Sequence, residues 1–121
     1  LILLKKALKE DKCIVIFPSG RLAKITCRGL IDRTWENSAA MLAKKYGTQV
    51  IPLRMKARNS FLYYLFAWAN RELRDITLFQ ELLNKKGKTF KLTFGEPISA
   101  SSLSKNAAKA TKDIRDMVES L

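Results

Sequence analysis

The chain has 121 residues, 47% of them hydrophobic, with 23 Lys and Arg against 11 Asp and Glu and a formal charge of +12. That length and hydrophobic content suit one packed domain spanning residues 1–121 and argue against a disordered segment, and no apolar run approaches the roughly 18 residues of a membrane span. The charge points to nucleic acid or an anionic membrane surface as partners, or simply to a solubilising surface, and does not choose among them. The absence of histidine means that no His-dependent base, triad or metal site is complete within the chain.

The opening L-I-L-L-K-K is too short for a signal peptide, and a start on Leu1 suggests an excised fragment. Leu1 to Lys12 reads as the end of a helix, with Leu1, Leu4 and Leu8 on one face and Lys5, Lys6, Lys9 and Lys12 on the other. Cys13 to Phe17 is an apolar run centred on Ile14, Val15 and Ile16, which suits a strand buried on both sides. Pro18-Ser19-Gly20 stops that strand and turns the chain, with Arg21 and Lys24 just beyond. In open α/β sheets ligands bind outside the carboxyl ends of strands. Strand, turn and cations therefore outline an anion site, the alternative being an ordinary strand-ending turn with exposed charges. Ser19 is not expected to be a nucleophile, because neither a G-x-S-x-G elbow nor a histidine accompanies it. Cys13 and Cys27 read as reduced structural thiols of a cytosolic protein.

Leu22 to Thr34 reads as irregular and basic through Lys24, Arg28 and Arg33, with Gly29 available for a bend. Asp32 and Glu36 read as a solvated helix entrance rather than an acid/base pair. A helix is predicted from Glu36 to Tyr46 on Ala39, Leu42, Ala43 and Tyr46, with Gly47 as its C-terminal cap. Gln49 to Met55 is a second strand, with Pro52 at a bulge or ladder end. Strand, helix and strand with short links predict a parallel βαβ unit.

Ser60 is a candidate N-cap for one long helix from Phe61 to about Leu78, in which Arg71 and Asp75 are spaced to pair. Phe61 to Ala69 is apolar on every face, so it is either deep core or a surface for acyl chains or a bilayer. Glu81 to Lys86 is a short helical turn ending at Gly87, and Lys85, Lys86, Lys88 and Lys91 read as a solvated turn and edge. Thr89 to Phe94 alternates as a half-exposed strand with Phe90, Leu92 and Phe94 inward. Ser101 or Ser102 is expected to cap a last helix whose stripe runs Leu103, Ala107, Ala110, Ile114, Met117, Leu121, with Lys105, Lys109 and Lys112 outside it. The fold class expected is α/β: a small, mainly parallel sheet of strands near 13–17, 49–55 and 89–94 with flanking helices.

Four blocks in order carry a resemblance. Phe17-Pro18-Ser19-Gly20-Arg21 resembles the F-P-E-G-T-R block of the PlsC-type glycerolipid and lysophospholipid acyltransferases. The stretch W-E-N-S-A-A-M-L-A-K-K-Y-G resembles the helix that follows in that family, Gln49-Val50-Ile51-Pro52-Leu53 its later V-P strand, and Gly95-Glu96-Pro97-Ile98 its closing G-E-P-I. The segment from Arg58-Asn59-Ser60 through Leu82-Leu83-Asn84-Lys85-Lys86-Gly87 looks most like the hemolysin-like branch. Together the blocks cover roughly residues 1–115. Two positions depart from the pattern: Ser19 stands where the family has glutamate, and Leu22 falls where its arginine belongs, leaving Arg21 displaced by one and Lys24 as a substitute. The family's His-x4-Asp, whose histidine takes the proton of the acceptor hydroxyl, is absent.

The resemblance implies the C-terminal, acceptor-side part of an acyltransferase domain, in which Phe17, Pro18, Ser19, Gly20, Arg21 and Lys24 bind substrate. It implies a lysolipid acceptor and an acyl thioester donor, acyl-CoA or acyl-ACP, as co-substrate, with no bound cofactor or metal and no catalytic residue in this chain. It further implies peripheral attachment to an anionic membrane surface on the cytoplasmic face. Alone, the chain is expected to be inactive. The competing class is a non-enzymatic basic α/β module that binds anionic membrane or nucleic acid; no nucleic-acid motif is visible in support of the latter.

Overall fold

A computed structural model describes residues 2–27 and 29–121, with the side chains of Ile2 and Arg71 excepted. The expectations for Leu1 on the first helix's apolar face, for Arg28 in the basic stretch and for an Arg71–Asp75 pair lie outside the described residues. The elements run α1 (Ile2–Lys9), β1 (Lys24–Thr26), β2 (Gly29–Ile31), α2 (Ser38–Tyr46), β3 (Leu53–Lys56), α3 (Phe61–Ala69), α4 (Arg71–Asn84), β4 (Lys91–Phe94) and α5 (Ala107–Ser120).

The expected mainly parallel sheet does not form. The strands make two small antiparallel sheets, β1 with β2 and β3 with β4. Residues 13–17 have no regular secondary structure, and Val15, Ile16 and Phe17 are 64%, 41% and 73% exposed. The physical reason lies in the partners. Val50 forms an antiparallel bridge with Ile98, donating to its carbonyl at 2.9 Å and accepting from its N–H at 2.8 Å, and Pro52 O accepts from Gly95 N at 2.8 Å. The 49–55 segment pairs with β4 and the stretch after it, and the run at 13–17 is in no ladder. A strand exists through its ladder, whereas an apolar run reports only a tendency to be buried. Pro52 does mark a ladder end, since β3 begins at the next residue.

The segment read as irregular contains the β1–β2 hairpin, with Lys24 opposite Ile31, Ile25 opposite Leu30 and Thr26 opposite Gly29. Gly29 sits at φ 105°, a backbone that side-chain-bearing residues rarely adopt. The long helix expected from Phe61 is two helices. Asn70, extended at φ −155° and ψ 141°, closes α3 through its N–H on Phe66 O and opens α4 by accepting from Glu72 N at 2.9 Å. α4 then absorbs most of the separate turn expected at 81–86. Phe90, Leu92 and Phe94, expected inward, are 40%, 49% and 65% exposed.

The chain divides into two compact units, Leu1–Arg54 with Phe94–Leu121, and Met55–Thr93. In the first, α2 packs on α5 through Ala40, Ala43, Ala110 and Ile114, joined by Ile98 and Leu103 and flanked by Trp35 and Val50. Alanines at the contact let the two helices approach closely. Gly47 at φ 65° caps α2 as its position predicted. α5 is capped by Asn106, whose Oδ1 accepts from Ala108 N and Lys109 N, and not by Ser101 or Ser102. Of the expected stripe, Leu103, Ala110 and Ile114 are buried while Met117 is exposed. Cys13 and Cys27 are free and exposed, so neither is a structural thiol of the core.

In the second unit α3 packs on α4, burying Tyr63, Thr77 and Glu81. Tyr63 meets Tyr64 edge to face, with centroids 5.3 Å apart. Much apolar surface of both helices stays exposed, including Trp68 at 85% and Phe79 at 74%. Among the described residues no helix is long and apolar enough to cross a membrane.

Candidate functional site

The turn after residue 17 forms as its sequence requires. Gly20 N donates to Phe17 O at 3.0 Å, Pro18 presets the first corner, and Gly20 takes φ 56°. Ser19 Oγ donates to Arg21 O at 3.0 Å, which stiffens the exit. Pro18 O accepts from Glu36 N at 3.0 Å, tying the turn to the entrance of α2. The hairpin then carries the chain out from the turn and back, so that the turn, β1 and the residues before α2 face one another.

Between them lies an open groove of about 430 Å³. Ser19, Arg21 and Lys24, three of the residues expected to bind substrate, line it together with Asp32, Arg33 and Glu36. Phe17, Pro18 and Gly20 do not line it; they shape the turn that holds Ser19 and Arg21. Arg21 and Lys24 are exposed and make no ion pair among the described residues. Such an arrangement can attract and hold an oxyanion.

Asp32 is not a free acid here. Its Oδ1 accepts from Arg33 N at 2.8 Å and its Oδ2 from Trp35 Nε1 at 2.7 Å, so the carboxylate organises its own loop. Arg115 braces the same loop from α5: its guanidinium lies 5.9 Å from the Trp35 ring and donates to Asp32 O and Arg33 O at 3.4 Å each. Glu119, one helical turn on, accepts from Arg115 Nε at 2.7 Å and orients it. Sequence reading missed Arg33 and Arg115 because each acts through contacts more than 80 residues apart or through a loop without periodicity. The i, i+4 spacing of Arg115 and Glu119 was the only local signal.

The second unit holds a smaller groove, about 360 Å³, lined in part by Lys56, Arg58, Asn59, Ser60, Glu81, Lys85 and Lys88. Ser60 caps α3 by accepting from Tyr63 N at 3.3 Å, as predicted, and also donates its N–H (2.9 Å) and its hydroxyl to Glu81. Lys85 bridges Glu81, at 3.4 Å, and Asn59 Oδ1. The hydrogen bond from the Ser60 hydroxyl holds the Glu81 carboxyl below its ordinary range despite burial, aided by Lys85. Lys85, read as solvated, is therefore a structural residue. Among the described residues no group of three or more acidic or Cys side chains is placed to hold a metal.

No protein-family model and no solved structure matches the chain. Two curated relatives do. The chain is 27% identical to a lyso-glycine lipid O-acyltransferase of Phocaeicola vulgatus over 120 residues, covering 93% of this chain and 43% of that protein. It is 25% identical to a lyso-glycine lipid O-acyltransferase of Bacteroides thetaiotaomicron over 121 residues, covering 93% of this chain and 44% of that protein. The chain thus spans less than half the length of the curated relatives it matches. The likeness is to lipid O-acyltransferases.

Proposed function

We propose that this chain is the acceptor-side portion of a PlsC-type O-acyltransferase. The whole protein would move a fatty acyl group from a thioester donor, acyl-CoA or acyl-ACP, to the hydroxyl of a lysophospholipid or related lysolipid. The observation that carries this reading is the alignment of 93% of the chain with lipid O-acyltransferases. The relatives' names favour a lyso-glycine lipid as the acceptor. The gathering of Ser19, Arg21 and Lys24 along one groove supports an acceptor anion there.

In the reaction the lipid hydroxyl attacks the thioester carbonyl, an ester C–O bond forms, the C–S bond breaks and the thiol leaves. The hydroxyl proton must pass to a base. This chain has no histidine, so the base is assigned to a His-x4-Asp elsewhere in the full protein. The part of this chain is to bind and orient the acceptor. The excess of cations and the exposed apolar residues of α3 and α4 suit peripheral attachment at an anionic, cytoplasmic membrane face.

The test is mass-spectrometric detection of diacyl product from the full-length protein, supplied with acyl-CoA or acyl-ACP and either a lyso-glycine lipid or a lysophospholipid. Transfer to one of them is expected. Residues 1–121 alone should fall at least about 10²- to 10⁴-fold short, the cost of losing one positioned base. No transfer from either donor to any lipid hydroxyl, or full turnover by the 121-residue chain, would overturn the reading.

A further inference from the structure

We propose that Arg33 is the specificity-determining residue of the 19–36 groove, selecting acceptors with an oxyanion headgroup, carboxylate or phosphate. This rests on the acceptor-side reading of that groove. The Nε of Arg33 is buried and has no hydrogen-bond partner among the described residues, although Arg33 lines the groove. Its neighbour Asp32 is directed elsewhere: the carboxylate accepts from the Arg33 N–H and from Trp35 Nε1 and makes no ion pair with the Arg33 guanidinium among the described residues. Nor does Arg33 form an ion pair with any described carboxylate. The loop cannot readily turn to find another partner, since Arg115 grips the carbonyls of Asp32 and Arg33 and stacks on Trp35.

A buried donor without an acceptor is costly, and in native structures such a group calls for an occupant. A guanidinium presents a planar fork that matches carboxylate and phosphate oxygens. The groove holds three cations against two carboxylates, of which Asp32 is committed to its loop. Arg21 and Lys24 are exposed, so their attraction is screened and suits steering. Arg33 is half-buried and braced, and its interaction with an oxyanion is screened less. The division of labour is steering by Arg21 and Lys24 and selection by Arg33.

The experiment compares the full-length protein with its Arg33→Gln, Arg33→Lys and Arg21→Gln/Lys24→Gln variants. Affinity is measured for three acceptors of matched chain length: a lysophosphatidic acid, an N-acylglycine with a free hydroxyl on its chain, and a neutral monoacylglycerol. Thermal melts confirm folding. Arg33→Gln should lower the ratio of anionic to neutral acceptor affinity about 10- to 100-fold, and the anionic acceptor that loses more identifies the headgroup as phosphate or carboxylate. Arg33→Lys keeps the charge without the fork and should restore only part of the ratio; if Arg33→Gln fails to fold, this variant decides. An unchanged ratio in folded Arg33 variants, alongside a fall in Arg21→Gln/Lys24→Gln, overturns the role of Arg33 and leaves the groove reading standing. An unchanged ratio in every variant overturns both.

Discussion

The groove between Ser19 and Glu36 and the groove between Lys56 and Phe90 are both basic, yet among the described residues only in the second does a carboxylate pair with a cation. There Glu81 is buried, accepts two hydrogen bonds from Ser60 and meets Lys85. In the first, Asp32 spends its oxygens on neutral N–H donors, and Arg21, Lys24 and Arg33 have no carboxylate partner among the described residues. A region that supplies its own counter-charge uses its cations for stability. A region that withholds it leaves them available to an outside anion. Overall charge would not separate the two cases; the hydrogen-bond partners of the acids do.

The comparison is broken most forcefully from beneath the first groove. Ile114 is 7% exposed in the α2–α5 core, on the helix that carries Arg115. Ile114→Ala should cost about 2–5 kcal/mol, read by denaturant unfolding and by faster amide exchange in α2 and α5. A change within measurement error would mean that this small core does not hold the Arg115 brace in place.

Next in size is the staple of the second unit. Glu81→Ala leaves Ser60 and Lys85 without their shared acceptor and should cost about 1.5–3 kcal/mol, read from exchange of the α3 and α4 amides. The pH dependence has a definite sign. The folded carboxyl titrates below its unfolded value, so its stabilising effect is complete above about pH 4.3 and is lost as pH falls through the folded pKa. Glu81→Ala should remove that part of the acid sensitivity. Unaltered acid unfolding of α3 and α4 in the variant would show that Glu81 is not their counter-charge.

The smallest effect sharpens the contrast by making the first groove resemble the second. Trp35→Phe removes the 2.7 Å bond to Asp32 Oδ2 and is expected to let that oxygen turn to Arg33. An internal partner for Arg33 should weaken anionic acceptors by roughly fivefold, about 1 kcal/mol for one hydrogen bond, with little change in melting. An unchanged affinity would place the selectivity outside the Asp32–Trp35 loop.

Local chemistry was legible in the sequence, and for a common reason: it involves neighbours only a few residues apart. The Pro18–Gly20 turn, the Gly47 cap, the Ser60 cap, the ladder end at Pro52 and the buried positions Ala110 and Ile114 all follow from local rules of backbone conformation and helical period. The ordered blocks that resemble acyltransferases were legible too, and the curated relatives are acyltransferases. Some local signals were present and outweighed. Asn70 before Arg71-Glu72 is a capping pattern that an unbroken apolar run concealed, and Asn106 displaced the serines before it.

Pairing and orientation were decided only in three dimensions. Cys13–Phe17 reads as strand from composition, but a strand needs a ladder partner, and the 49–55 segment expected beside it bonds β4 and Ile98 instead. The antiparallel sense of β1–β2 follows from its short hairpin link, whereas that of the β3–β4 sheet follows from such a choice between distant segments. The 19–36 groove is the same case. Its cations are visible in the sequence, but their availability depends on Trp35 occupying Asp32 and on Arg115 reaching back more than 80 residues to hold the loop. Charge is a property of the residue, whereas its freedom to bind a ligand is a property of everything packed around it.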